Sequence, residues 1–287
     1  MTLRAVAALL AALFACACQA PRTPARQPTS LASLERLATG DRYPLPDAQL
    51  FVPDGYRPPN DGVVPLAVHF QGGQTIAEEN FARMGRSGVL IASTLSGRSS
   101  AFAAPYRTPG AFRELLAAGE RALSERAGRP LRFGAILITS FSAGYGAVRE
   151  LLRQRDLFEQ IEALVMADSI YASVVAPDVR APRAEQMADF VRFAQAAARG
   201  EKVFVLTHTE IRTDYASTRE CADWILASVA GARTPSGAYT ERGVPITAEF
   251  HARGLHVYSV AGADAQAHVD CLWMLPELVR RHRPPTR

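Results

Sequence analysis

Two kinds of apolar pattern alternate along this chain. Short, nearly continuous apolar runs occur at 48–53, 63–70, 88–94, 133–140, 161–169, 202–208 and 246–262, and their length and content predict β-strands. The last of these is one strand, or two joined at "ARG". The run "FGAILITS" (133–140) is apolar at almost every position, as expected of a strand covered on both faces. Between the runs lie segments with helical spacing. In 111–128, Phe112, Leu115, Leu116, Ala122 and Leu123 share one face and Gly128 closes the helix. Gly119 falls on the same face, at a cost of about 1 kcal/mol against alanine. Further helices are predicted over 144–155, 183–200, 217–230 (capped by Ser217) and 268–281, with Pro276 kinking or splitting the last.

Strand and helix alternate over roughly 240 residues, which suits one large domain or two small ones. The pattern predicts an α/β fold, a mostly parallel sheet with helices on both faces. Residues 19–45 read differently. Pro21, Pro24, Pro28 and Pro44 punctuate the stretch, with Pro46 just after it, and only a short helix-like "SLASLERLA" interrupts it. This predicts a tether holding a domain, 46–287, away from its point of attachment.

That attachment is written in "MTLRAVAALLAALFACACQA". One arginine precedes an apolar run too short to span a bilayer, followed by small residues and two cysteines, so residues 1–18 read as an export signal. The stretch resembles a bacterial lipoprotein signal, with "LFAC" and "ACAC" as two registers of its box. The resemblance implies that Cys16 or Cys18 carries the lipid, and that the chain is held to the periplasmic side of the cell envelope. Neither cysteine is followed by Asp, which favours the outer membrane. An exported chain meets oxidising conditions, so Cys221 and Cys271 could form one bridge. They lack metal-ligand spacing.

Composition adds exclusions. Apolar residues are 48% and charged residues 21%, enough for a sizeable core. A net charge of +4 with no basic cluster argues against nucleic acid as a partner.

In parallel sheets, ligands bind outside the carboxyl ends of the strands. Those positions here hold "HFQGG" (69–73), Ser142, Asp168, then His208, Glu210 and Asp214, and finally Asp264 and His268. The frame "SFSAG" (140–144) sets Ser142 between small residues, as a sharp strand-to-helix turn demands, although a plain junction could use the same residues.

A serine, then acids, then a late histidine, with "SFSAG" and "HFQGG", resembles the α/β-hydrolase superfamily. Ser140 stands where that family's G-x-S-x-G has its first glycine, and Phe70 where many members carry glycine. The resemblance implies an α/β-hydrolase-type sheet without a large lid, since 168–182, where relatives carry a cap, is short. It implies Ser142 as nucleophile, His268 as base, and Asp168, or alternatively Glu210, as the acid. It places oxyanion donors on the backbone N–H groups of Ala143 and Gln71. His69 would be structural, His208 buried or lining the site, and His251 and His256 structural. The irregular stretch 95–110, with Ser99, Phe102, Tyr106 and Arg107, is a candidate pocket wall. The implied activity is hydrolysis of a small-molecule or polymer ester through an acyl-enzyme, with no cofactor or metal. A peptidase or amidase, or a non-catalytic envelope-binding domain of the same fold, is the alternative.

Overall fold

The computed structural model describes residues 25–26, 35–176 and 178–282. The signal segment with Cys16 and Cys18, and much of the Pro-rich segment, lie outside the described residues. The chain begins with β1 (Gly40–Leu45), β2 (Ala48–Pro53), β3 (Val63–Phe70), α1 (Gln74–Arg83) and β4 (Val89–Ser93). Then come α2 (Ser99–Ala103), α3 (Ala111–Ala127), β5 (Arg132–Phe141), α4 (Tyr145–Leu152), α5 (Arg155–Gln160) and β6 (Ile161–Ala167). A small hairpin, β7 (Val174–Ala176) and β8 (Val179–Pro182), leads to α6 (Ala184–Ala198), β9 (Val203–His208) and α7 (Thr218–Ala227). The chain closes with β10 (Thr234–Pro235), β11 (Ile246–Ala252), β12 (Leu255–Val260) and α8 (Ala265–Arg281).

Ten strands form one sheet in the order β1-β2-β4-β3-β5-β6-β9-β12-β11-β10. The six from β4 to β12 are mutually parallel, while β1, β2, β11 and β10 pair antiparallel at the two edges. This is the mostly parallel sheet of an α/β fold, with helices on both faces. Its strands alternate between two cores. On β9, Phe204 and Leu206 face the core filled from α3, α4, α6 and α7, and Val203 and Val205 face the one filled from α1 and α8. Burial on both faces explains why the central strands are apolar throughout.

Several expectations are revised. The domain begins before residue 46: Gly40–Leu45 pairs with Ala48–Pro53 as an edge strand, where Pro44 is tolerated. Upstream of it, Glu79 accepts hydrogen bonds from Arg36 Nε (2.9 Å) and from the Leu37 and Ala38 amides (3.1 and 3.2 Å). The stretch 95–110 is not an open loop. It forms α2 and a 3-10 turn (Ala104–Arg107), with Phe102 and Tyr106 in the core. Of the two readings of 246–262, the structure has the two strands joined at "ARG", whereas α8 runs through Pro276 without being split. Cys221 and Cys271 are both buried and free, so the bridge is not formed.

Candidate active site

The parallel strands end at one edge, and the segments leaving them converge there. Strand β5 stops at Phe141, and Ser142 turns the chain with φ 49° into a 3-10 turn (Ser142–Gly144) and then α4. Left-handed backbone at a serine costs on the order of 1–3 kcal/mol and persists only where neighbours enforce it. Two of those neighbours are glycines. A Cβ on Gly144 would stand 2.5 Å from Phe70 O and 2.7 Å from Ser140 Oγ, and one on Gly146 would overlap the Ser99 carbonyl. The small residues around Ser142 therefore admit β3 on one side and the start of α2 on the other.

Ser140, the departure from the usual glycine, has a place of its own. It is fully buried, and its Oγ lies 2.8 Å from Ser169 Oγ, which donates to Ser142 O at 2.9 Å. Two hydroxyls thus link the end of β5, the residue after Asp168 and the strained carbonyl of Ser142.

Asp168 follows β6 with φ 45° and no solvent exposure. Its Oδ1 accepts from the Thr209 amide (3.1 Å) and from Thr218 Oγ1, and its Oδ2 from Thr209 Oγ1 (2.9 Å) and His268 Nδ1 (2.6 Å). Burial alone would push this carboxyl up, but the hydrogen bonds from His268, Thr218 and Thr209 outweigh it and hold it below the ordinary aspartate value. An ionised carboxylate only accepts, so Nδ1 of His268 is the donor in this bond. The imidazole stands in the first turn of α8, which Asp264 caps by accepting from the Ala267 amide at 2.8 Å. Its ring packs 4.4 Å from that of Phe141, the residue before Ser142.

The structure separates the other candidates from this cluster. Glu210 pairs with Arg219 at the surface, so it is not the partner of His268, and Asp214 is exposed. His208 is buried, with Nδ1 3.2 Å from Thr209 O and Nε2 2.9 Å from both Ser259 Oγ and Arg233 Nη1. Burial and the Arg233 charge pull it down to about 4, so it is neutral and supports the Thr209 segment from behind. His69, bonded to Thr139 Oγ1 at 2.8 Å, is likewise pulled to about 4 by burial. His251 and His256 face each other across β11 and β12, at the far edge of the sheet.

The oxyanion expectation needs one correction. Gln71 is in left-handed conformation and its amide donates to Ser93 O at 3.0 Å. That N–H already serves to join the β3 and β4 ends, so it is not an oxyanion donor. Ala143 stands second in the turn that opens α4, where amides lack helical acceptors.

Ser169, Thr209 and Thr218 were not singled out from the sequence. Only Ser217, as a helix cap, pointed to that corner. Its capping box with Glu220 fixes the start of α7 and so places Thr218 under Asp168.

No family model matches the chain, and no curated protein matches it. Solved structures of similar outline include the ferric enterobactin esterase of Salmonella typhimurium, at 11% identity and TM-score 0.49, covering 88% of this chain and 61% of that one. A thermostable esterase shares 12% identity at TM-score 0.44, with 82% of this chain and 57% of that chain covered. The chain thus spans less than two thirds of the length of these two. A lidless α/β serine hydrolase of Xanthomonas campestris aligns at 12% identity and TM-score 0.38, covering 84% and 91%.

Proposed function

We propose that the chain is a serine hydrolase that cleaves an ester through Ser142, His268 and Asp168. The observation that carries this is the 2.6 Å contact between His268 Nδ1 and Asp168 Oδ2, next to a serine held at φ 49° on a strand-to-helix turn. Ser142 Oγ attacks the carbonyl carbon while His268 Nε2 takes its proton. The Ala143 N–H and the start of α4 face the developing oxyanion. When the tetrahedral adduct collapses, His268 returns the proton to the departing alkoxide, leaving an acyl group on Ser142. A water then loses a proton to His268 and attacks the acyl carbon, releasing the acid and restoring the serine. Asp168 stays ionised throughout, fixing the tautomer and stabilising the imidazolium. An ester is preferred to an amide because alkoxide is the better leaving group.

The test is labelling of the protein by a fluorophosphonate probe, with peptide mapping of the adduct. An adduct on Ser142 that disappears in His268→Ala is expected. No adduct on folded protein overturns the reading. The proposed location is the bacterial envelope, with the lipid on Cys16 or Cys18. Labelled palmitate should enter the wild-type chain and be lost from one of Cys16→Ala and Cys18→Ala. Incorporation into both variants would refute the anchor.

A further inference from the structure

Four large apolar side chains stand markedly exposed among the described residues: Leu37, Val175, Val179 and Tyr215. Three of the four belong to two segments that are joined to each other. The segment after β6 meets the one after β9 through reciprocal backbone bonds between Ala172 and Ala216 (2.8 and 3.4 Å). Arg180 in β8 donates to Tyr215 O at 2.9 Å and pairs with Glu220. Both segments leave the carboxyl ends of their strands, where parallel sheets bind ligands. Exposed apolar side chains on two joined segments at that edge offer apolar contact where such sheets take their ligands.

A row of three tyrosine rings runs from the helix that follows Ser142, through the segment that follows Asp168, to Tyr215. Tyr145, three residues after Ser142, lies 5.5 Å from Tyr171, three residues after Asp168. Tyr171 lies 5.5 Å from Tyr215, nearly perpendicular at 81°. The inner end is anchored, with Tyr145 Oη donating to Ser99 Oγ at 3.0 Å. Burial, with the Asp168 charge adding to it, pushes the Tyr171 phenol up. The outer ring, Tyr215, is 48% exposed, flanked by the hairpin that carries Val175 and Val179.

We propose that this ladder is the subsite for the non-reacting part of the substrate and that it takes an aromatic ring, so that the ester cleaved carries an aryl group. Both pairs lie within the centroid range of aromatic pairs, about 4.5–7 Å, and the outer one, Tyr171–Tyr215, has the edge-to-face inclination that aromatic quadrupoles favour, the inner one being tilted at 55°. The exposed end offers a further ring the same geometry, which an alkyl chain cannot use. This proposal rests on the serine-hydrolase reading for its reacting end, while the ring site itself does not.

The test compares ethyl 3-phenylpropanoate with ethyl hexanoate, which share a leaving group, by kcat/KM in the wild-type protein, Tyr215→Ala and Tyr215→Phe. A preference of about fivefold for the aromatic ester is expected, the scale of one ring pair. It should fall to about one in Tyr215→Ala and be kept in Tyr215→Phe. Equal rates in the wild type, or an unchanged ratio in Tyr215→Ala, overturn the proposal. Saturation-transfer NMR with 3-phenylpropan-1-ol reads the ring without turnover. Ring signals that depend on Tyr215, with no fluorophosphonate adduct, would sink the hydrolase reading and leave the ring site standing. An adduct on Ser142 with no ring saturation would sink the ladder alone.

Discussion

Asn80 Nδ2 donates to the carbonyl oxygen of Leu272 at 2.9 Å, across the packed faces of α1 and α8. Leu272 lies four residues before Pro276, and a proline has no N–H for the carbonyl at that position. The side chain of one helix thus replaces the backbone donor missing from another, which accounts for the unbroken course of α8. Asn80→Ala leaves a buried carbonyl unpaired and should cost about 1–3 kcal/mol in urea unfolding. In that background Pro276→Ala restores the helical donor and should recover part of the loss. Additive effects of the two substitutions would show that they do not share the Leu272 carbonyl.

The Ser140–Ser169 pair predicts a kinetic effect with little change in binding. Removing the Ser169 hydroxyl frees the Ser142 carbonyl and lets the strained turn relax. Ser169→Ala should lower kcat roughly ten- to hundredfold, the scale of a small misplacement of a reacting group, with KM nearly unchanged. Ser140→Gly keeps the bond from Ser169 to Ser142 O and should cost less. Equal losses, or a loss carried by KM, would remove Ser169 from the positioning role.

The sequence pattern exposed most of the sheet and little of its polar support. Strands β3, β5 and β9 were legible because both their faces are apolar. Helix α1 was not, because its inward face carries Glu78, Glu79 and Asn80. Those residues are buried against Arg42, Arg36 and the Leu272 carbonyl, partners far away in the chain, with Arg83 of the same helix also on Glu79. Strand β1 was hidden by its exposed positions and Pro44, both characteristic of an edge. At the site, Ser142, Asp168 and His268 could be named as strand-end residues. The contact that separates Asp168 from Glu210 depends on side-chain direction, which no spacing encodes. Nor does spacing encode the direction of the Gln71 backbone N–H, which is spent on the Ser93 carbonyl.

Hydrogen bonds to Asp168 set a pH dependence. Its carboxyl is held below the unfolded value of about 3.9. The stability it contributes is therefore present above that value and is lost as pH falls through the lower folded one. Thr218→Val removes one donor, raises the folded value and should bring the loss in at higher pH. Tm measured from pH 3 to 6 should fall earlier in the variant than in the wild type. Parallel curves would mean that the Thr218 bond does not stabilise the carboxylate.

Asp168 and Glu210 offer the sharpest separation of roles. Asp168 is buried with four donors around it and touches Nδ1 of His268, whereas Glu210 pairs with Arg219 in solvent. Asp168→Asn presents an amide that can donate to Nδ1, favouring the tautomer whose proton sits on Nε2, the atom that takes the serine proton in the proposed mechanism. By analogy with other triads, the loss in kcat should be on the order of 10⁴. Glu210→Gln breaks an exposed ion pair worth at most about 1 kcal/mol and should leave turnover within about twofold. The measurement is kcat for both variants on one activated ester, with far-ultraviolet circular dichroism to establish folding. A folded Asp168→Asn protein with near wild-type kcat would take the acid away from Asp168, and a large loss in Glu210→Gln would assign it to the end of β9.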